Sequence, residues 1–145
     1  MDARRVPAFY FTVYFLLFLS ACSGWGSRLQ ADEVKKSGVT AVTDSNFDQN
    51  VLKSPTPVLV DFWASWCVNC CRLSPTVEKI LTGYGDRMKF EKFDVVDNPV
   101  CPRKLGVDML PTLLVFNHGK VVKRWVGTIS EASLKNGIEQ VLKSN

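Results

Sequence analysis

The sequence predicts an α/β domain in which a mixed β-sheet carries helices on both faces. Short apolar runs of strand length alternate with segments whose apolar residues recur at helical spacing, which is typical of strands joined through helices. Near the C-terminus, the turn-forming residues Asn117-His118-Gly119-Lys120 separate two strand-like runs. They indicate a hairpin, so the sheet is expected to contain antiparallel as well as parallel strands.

The first part of the domain is predicted to be a strand followed by a short helix. Val39–Val42 has the length and the β-branched residues of a strand. Asp44 or Ser45 is expected to cap the helix, because short polar side chains accept hydrogen bonds from the first helical N–H groups. Pro55 cannot continue a helix, so this one is expected to end near Ser54.

The central strand is predicted at Val58–Trp63, a short apolar run typical of a fully buried strand. A helix is expected to follow from Cys67 to about Leu81, with a kink at the internal Pro75. The glycine-containing segment Gly83-Tyr84-Gly85 is expected to end it.

The second half of the domain predicts three more strands and two helices. Met88–Val96 is expected to be a strand and Asn98–Leu105 a short helical connection. The hairpin joins Thr112–Phe116 to Val121–Val126. A last amphipathic helix is expected after Ser130.

The N-terminal segment has the pattern of an export signal. Arg4 and Arg5 supply a positive start, and Ala8–Leu19 supplies an apolar stretch. Leu19-Ser20-Ala21-Cys22 ends it, and these four residues resemble the lipobox of bacterial lipoprotein signal peptides. The resemblance implies that Cys22 becomes the lipidated first residue after cleavage, and acyl chains on Cys22 would hold the protein to membrane lipid.

This interpretation divides the chain into a signal peptide at residues 1–21, a tether at 22–38 and a folded domain at 39–145. Ser23 follows Cys22 in place of an aspartate, which by resemblance to envelope sorting signals favours an outer membrane where the cell has one. Two alternatives stay open. The segment can be an uncleaved membrane helix, or a signal that is simply cleaved or exported through its paired arginines.

Composition limits the other possibilities. With 145 residues, of which 46% are hydrophobic and 22% charged, the chain fits one globular domain. The formal charge is +4, and no basic run or aromatic-basic stripe concentrates it, so we expect no nucleic-acid partner.

Cys67 and Cys70 are separated by two residues, a spacing at which a disulfide can close and reopen with little backbone movement. Cys67 is expected at a helix start, where free N–H groups and the helix dipole favour a thiolate and lower a cysteine pKa from about 8.5 to roughly 3.5–7.5. The motif alone is weak evidence, because zinc and haem sites also use it.

Asp61 stands out because it lies inside an otherwise apolar strand. A buried carboxylate is costly unless it is neutralised or paired, so the position predicts a raised pKa and a proton-transfer role. The alternative is a structural aspartate whose hydrogen bonds are satisfied.

From residue 39 onward the sequence resembles the thioredoxin family, which implies the thioredoxin fold and thiol–disulfide exchange without a metal or cofactor. The residues that carry the resemblance are Val60–Cys67, Cys70, Pro75, Lys92, Leu110–Leu113, Gly119 and Gly127.

The resemblance also implies a role for each residue of the centre. Cys67 is the nucleophile that attacks a substrate disulfide, and Cys70 then attacks Cys67 and releases the reduced substrate. Asp61 handles the proton of Cys70, and Lys92 tunes Asp61.

Three further residues are implied to shape the substrate surface. Pro111 is expected to follow a cis peptide bond and to lie against the dithiol. Leu110 is expected to dock an extended substrate strand, and Trp66 to flank it. An ordinary trans proline and a packing role for Trp66 are the alternatives.

Two departures from the family pattern affect the chemistry. The dipeptide between the cysteines is Val68-Asn69, where ordinary thioredoxins carry Gly-Pro. Its valine resembles membrane-linked disulfide-interchange domains and favours a reductant outside the cytoplasm. Cys71 replaces a basic residue and is expected to face away from the dithiol as an exposed or packed thiol. The alternative is a mixed-disulfide role or a regulatory disulfide, for which Cys101 is the other available thiol.

Together these observations predict a membrane-anchored thiol–disulfide oxidoreductase that faces the periplasm or cell exterior. It is expected to reduce disulfide-containing proteins with electrons from a membrane donor. An oxidising or isomerising protein is one alternative. An adaptor or a carrier of copper(I) or zinc is another, with Cys67, Cys70, Cys71 and Met109 as thiolate and thioether ligands.

Overall fold

The computed structural model describes residues 40–144, which form a five-stranded sheet and three α-helices. The predictions for the export signal, for Cys22 and for the tether lie outside the described residues. The strands are β1 Thr40–Val42, β2 Val58–Trp63, β3 Lys89–Asp94, β4 Thr112–Asn117 and β5 Lys120–Val126. The helices are α1 Val68–Thr82, α2 Val100–Lys104 and α3 Glu131–Lys143.

The sheet is mixed, as the sequence predicts, with the strand order β1-β3-β2-β4-β5. β3 pairs in parallel with β1 and β2, whereas β4 pairs antiparallel with β2 and β5. Asp61 on the central strand β2 is in register with Lys92 on β3 and with Leu113 on β4. The strand that leads to the cysteines is therefore fixed on both edges.

Alternation along β2 divides the apolar core into two layers. Val58, Val60 and Phe62 point to one face, where they pack with the segment between β1 and β2 and with the segment between β3 and β4 that contains α2. Leu59 points to the other face, where it packs with α1 and α3. Helices on both faces are confirmed, and Asp61 shares the face of Leu59 that α1 covers.

The predicted first helix is reduced to one π-helical turn over Asp48–Leu52, and its predicted cap is wrong. The Asp44 carboxylate instead accepts hydrogen bonds from the backbone N–H groups of Val100 at 2.9 Å and Cys101 at 2.7 Å. These are the first N–H groups of α2, which have no partner within their own helix. Asp44 thus caps a helix that follows it by more than fifty residues in the chain.

The turns and the other helices follow the prediction closely. α1 begins at Val68 after its N-cap Cys67 and contains Pro75. In the hairpin, His118 and Gly119 have φ angles of 49° and 75°, the left-handed conformation that a two-residue hairpin turn requires. No helix among residues 40–144 has the length and apolar character needed to span a membrane.

Candidate active site

The two cysteines of the C-x-x-C motif form a disulfide where β2 leads into α1. Their Cα atoms are 5.3 Å apart. The Cys67 sulfur accepts a hydrogen bond from the backbone N–H of Cys70 at 3.2 Å, so Cys67 is the side-chain cap of α1. Cys67 is 7% exposed and Cys70 only 1%, which leaves Cys67 the more accessible of the two.

This placement suits Cys67 for nucleophilic attack. When the disulfide is reduced, the N–H of Cys70 and the positive end of the α1 dipole stabilise a thiolate on Cys67. Cys70 lies deeper, in an apolar cluster with Ala64. Burial disfavours a charged thiolate, so Cys70 needs a proton acceptor before it can attack.

The surface beside the disulfide contains the segment that the resemblance to thioredoxins implies. The Leu110–Pro111 peptide bond is cis, and Leu110 packs against the cluster that holds both cysteines. Trp66 is 69% exposed and Met109 is 61% exposed, so neither side chain packs in the hydrophobic core. The structure therefore brings Leu110 to the dithiol and leaves Trp66 available to a substrate.

Asp61 is fully buried beneath α1. The hydroxyl of Ser74 on α1 donates a hydrogen bond to Asp61 Oδ2 at 2.6 Å, and Oδ1 has no hydrogen-bond partner among the described residues. Burial raises the pKa of Asp61, while the Ser74 hydrogen bond and the charge of Lys92 act in the opposite direction. A half-satisfied, easily protonated carboxyl is suited to proton transfer.

Lys92 lies beside Asp61 in the sheet, but its ammonium group contacts other side chains. Its Nζ lies 3.4 Å from Glu78 Oε1 on α1 and 5.2 Å from the centre of the Trp63 ring. Lys92 therefore acts on the pKa of Asp61 through its charge, and Glu78 opposes it by raising that pKa. Because Glu78 and Lys92 are only partly exposed, solvent screens this pair incompletely.

Sequence reasoning missed Ser74 and Glu78. Cys70, Ser74 and Glu78 are spaced by four residues, which places them on one face of α1. This spacing was available as a signal, since polar side chains on the face that covers a buried aspartate are candidates to contact it.

A cleft of about 430 Å³ opens along this face of α1. Cys70, Ser74, Glu78 and Lys92 line it, together with Cys71. Cys71 is exposed while Cys70 is buried, in agreement with the prediction that Cys71 faces away from the disulfide. The cleft gives solvent a path to the polar side chains around Asp61.

The remaining cysteine of the described residues, Cys101, lies in α2, is half-buried and packs against the core. Burial and the neighbouring Asp44 carboxylate raise the pKa of Cys101 to about 11. Its thiol is therefore protonated and unreactive near neutral pH.

The alternative of a metal carrier depends on grouped ligands. Within the range 40–144, no three His, Cys, Asp or Glu side chains are grouped in a way that could hold a metal ion.

Comparison with known proteins connects this geometry to a family. Residues 38–140 match the family model described as thioredoxin. The chain belongs to the thioredoxin family. This membership, together with the five-stranded mixed sheet, confirms both the resemblance and the thioredoxin fold predicted from the sequence.

Individual thioredoxins align over almost their whole length. The thioredoxin of Acidithiobacillus ferridurans is 44% identical over 93 residues, which cover 64% of this chain and 86% of that protein. Thioredoxin 1 of Synechococcus elongatus is 40% identical over 106 residues, which cover 73% and 99%. The thioredoxin of Mycobacterium tuberculosis is 41% identical over 108 residues, which cover 74% and 93%.

These relatives and the Cys67–Cys70 disulfide make the chain a dithiol–disulfide oxidoreductase that acts on disulfide-containing proteins. In exchange, a thiolate attacks a disulfide sulfur, and the electron pair of the broken bond leaves with the other sulfur.

Proposed function

We propose that this thioredoxin-family protein reduces protein disulfides outside the cytoplasm while a lipid on Cys22 anchors it to a membrane. The observation that carries the reductive direction is the buried Asp61 beneath α1, the helix that also carries Cys70. When this carboxyl is ionised, its negative charge disfavours a thiolate in the reduced centre. Oxidising members of the fold depend on a strongly stabilised reduced form, so a less stabilised thiolate favours a reductant.

The exported location rests on sequence features. The paired arginines, the apolar stretch and the Leu19-Ser20-Ala21-Cys22 motif have the order of a lipoprotein signal. Thiols outside the cytoplasm are not kept reduced by the cytosolic pool, so a reductase there needs a membrane partner that delivers electrons. The Val68-Asn69 dipeptide, which resembles that of membrane-linked interchange domains, supports the same assignment.

Redox equilibrium with glutathione tests the direction of transfer. We expect the Cys67–Cys70 couple to lie near the thioredoxin value of about −270 mV. A couple near about −120 mV would instead assign the protein to disulfide formation and would contradict the proposed reduction of protein disulfides. The matched variant is Val68→Gly with Asn69→Pro, which restores the usual dipeptide and measures how far it moves the potential.

Mass spectrometry of the full chain extracted from membranes tests the anchor. The expected product is an acylated N-terminal peptide that begins at Cys22. The control is Cys22→Ser, which removes the acceptor thiol and should abolish incorporation of a labelled fatty acid. An N-terminus that is intact at Met1 would contradict the lipoprotein assignment and favour an uncleaved membrane helix.

A further inference from the structure

Among the described residues, Ser74 alone donates a hydrogen bond to the Asp61 side chain. Its hydroxyl donates to Asp61 Oδ2 at 2.6 Å, and Oδ1 has no partner among the described residues. Ser74 is 6% exposed and Asp61 is fully buried, so water competes little for this hydrogen bond. Oδ2 of the carboxyl is therefore fixed by the hydrogen bond, whereas Oδ1 is available to accept a proton.

The position of Ser74 links this carboxyl to the dithiol. Ser74 follows Cys70 by four residues, so the two side chains lie about one turn apart on the same face of α1. Both line the cleft of about 430 Å³ beside the disulfide. Cys70 and the Ser74–Asp61 pair therefore lie along the same face of α1, the face that covers the sheet.

We propose that Ser74 is a positioning residue for resolution of the mixed disulfide, holding Asp61 Oδ2 so that Oδ1 accepts the Cys70 proton. The inference rests on the proposed reductive function, in which Asp61 is the proton acceptor. Ser74 does not contact the reacting sulfur atoms and acts through Asp61.

The step balances in protons and electrons. The Cys70 thiol gives its proton to the Asp61 carboxylate, and the resulting thiolate attacks Cys67 Sγ, forming the Cys67–Cys70 bond. The bond between Cys67 and the substrate sulfur breaks, and its electron pair leaves with the substrate as a thiolate, which takes up a proton from Asp61 or water. The protein dithiol is oxidised by two electrons and the substrate disulfide is reduced by two.

Charged groups around Asp61 also affect its pKa, in addition to the Ser74 hydrogen bond. From β3, the Lys92 ammonium favours the carboxylate and lowers its pKa, whereas Glu78 on α1 raises it. From β4, the register neighbour is the apolar Leu113. The Ser74 hydrogen bond favours the charged form, so its loss raises the pKa of Asp61 beyond the increase that burial causes.

The test follows single-turnover release of a chromophoric thiolate from Cys67 by Cys70 as a function of pH. A Cys71→Ser background keeps the neighbouring exposed thiol out of the signal. In Ser74→Ala, the pH midpoint of this step should move up by about 1 to 2 units, because a hydrogen bond to a charged group is lost. At neutral pH the rate should fall about tenfold or more. Carbon NMR of the Asp61 carboxyl should show the same upward shift.

The isosteric pair Ser74→Thr and Ser74→Val separates this role from packing. Both fill the site equally, but only threonine keeps the hydroxyl, so the midpoint of the threonine variant should lie below that of the valine variant. In an Asp61→Asn background, Ser74→Ala should have no further effect on the profile. An unchanged midpoint in Ser74→Ala, while Asp61→Asn alters the profile, overturns the role of Ser74 alone. No effect of Asp61→Asn on resolution overturns the role of Asp61 and this inference with it.

Discussion

Replacing Asp61 with asparagine is expected to stabilise the folded protein increasingly as the pH rises. Asp61 is fully buried and its pKa is raised, chiefly by burial. In the unfolded chain an aspartate titrates near pH 3.9. Between that value and the folded pKa, the folded protein keeps a proton that the unfolded chain has lost, so raising the pH favours unfolding of the natural sequence.

The pH dependence of the unfolding free energy follows from the single proton that the folded protein retains on Asp61 and the unfolded chain has lost. Over that pH window the free energy of unfolding of the natural sequence should fall by about 1.4 kcal/mol per pH unit relative to Asp61→Asn, which does not titrate. Below about pH 4 both states of the natural protein are protonated and the difference should be constant. Above the folded pKa both states are ionised, and the difference should level off.

Urea unfolding of the oxidised protein across this pH range measures the difference directly. Any fixed cost of burying the amide shifts the whole curve and leaves its slope unchanged, so the slope isolates the titration of Asp61. Asp108→Asn, which removes an exposed carboxyl, is the matched control. A difference between Asp61→Asn and the natural protein that stays flat, or that falls as the pH rises, would refute the argument.

Two further predictions concern the surface and the second helix. Trp66→Ala should raise the KM for a protein disulfide substrate about tenfold or more without slowing reaction with a small disulfide, because a large exposed aromatic beside a reactive centre is a typical binding hot spot. Val122→Ala, on the exposed face of β5, is its control, and an equal effect there would contradict it. Asp44→Ala should cost about 1–2 kcal/mol of unfolding free energy through loss of the helix cap, and should lower the Cys101 pKa from about 11. Faster alkylation of Cys101 near pH 8 would report the second effect, and an unchanged rate would argue against it.

The central strand, α1 and the hairpin could be predicted because their signals are local. An apolar run, a proline, a glycine and an Asn-His-Gly turn each restrict the backbone within a few residues. The Val58–Trp63 strand agrees with its predicted bounds for this reason. The start of α1 next to Cys67 also agrees with the predicted helix start.

The missed features depend on contacts between distant residues. Capping rules consider only neighbours and therefore predict that Asp44 caps the helix next to it, whereas its carboxylate binds the N-terminus of α2. In the sequence Ser74 is an ordinary polar residue within a helix, and only the packing of α1 over Asp61 brings the two side chains together. The register of β2 and the face of α1 decide that contact, and both are tertiary properties.

Trapping with Cys70→Ser tests the central claim most directly. Full-length protein in which Cys70 is replaced by serine is mixed with a disulfide-containing protein, and the linked peptides are identified by mass spectrometry. The account predicts a stable mixed disulfide on Cys67, which disappears in the Cys67→Ser control. A trapped partner on Cys71 or Cys101, or no adduct on Cys67, would contradict it.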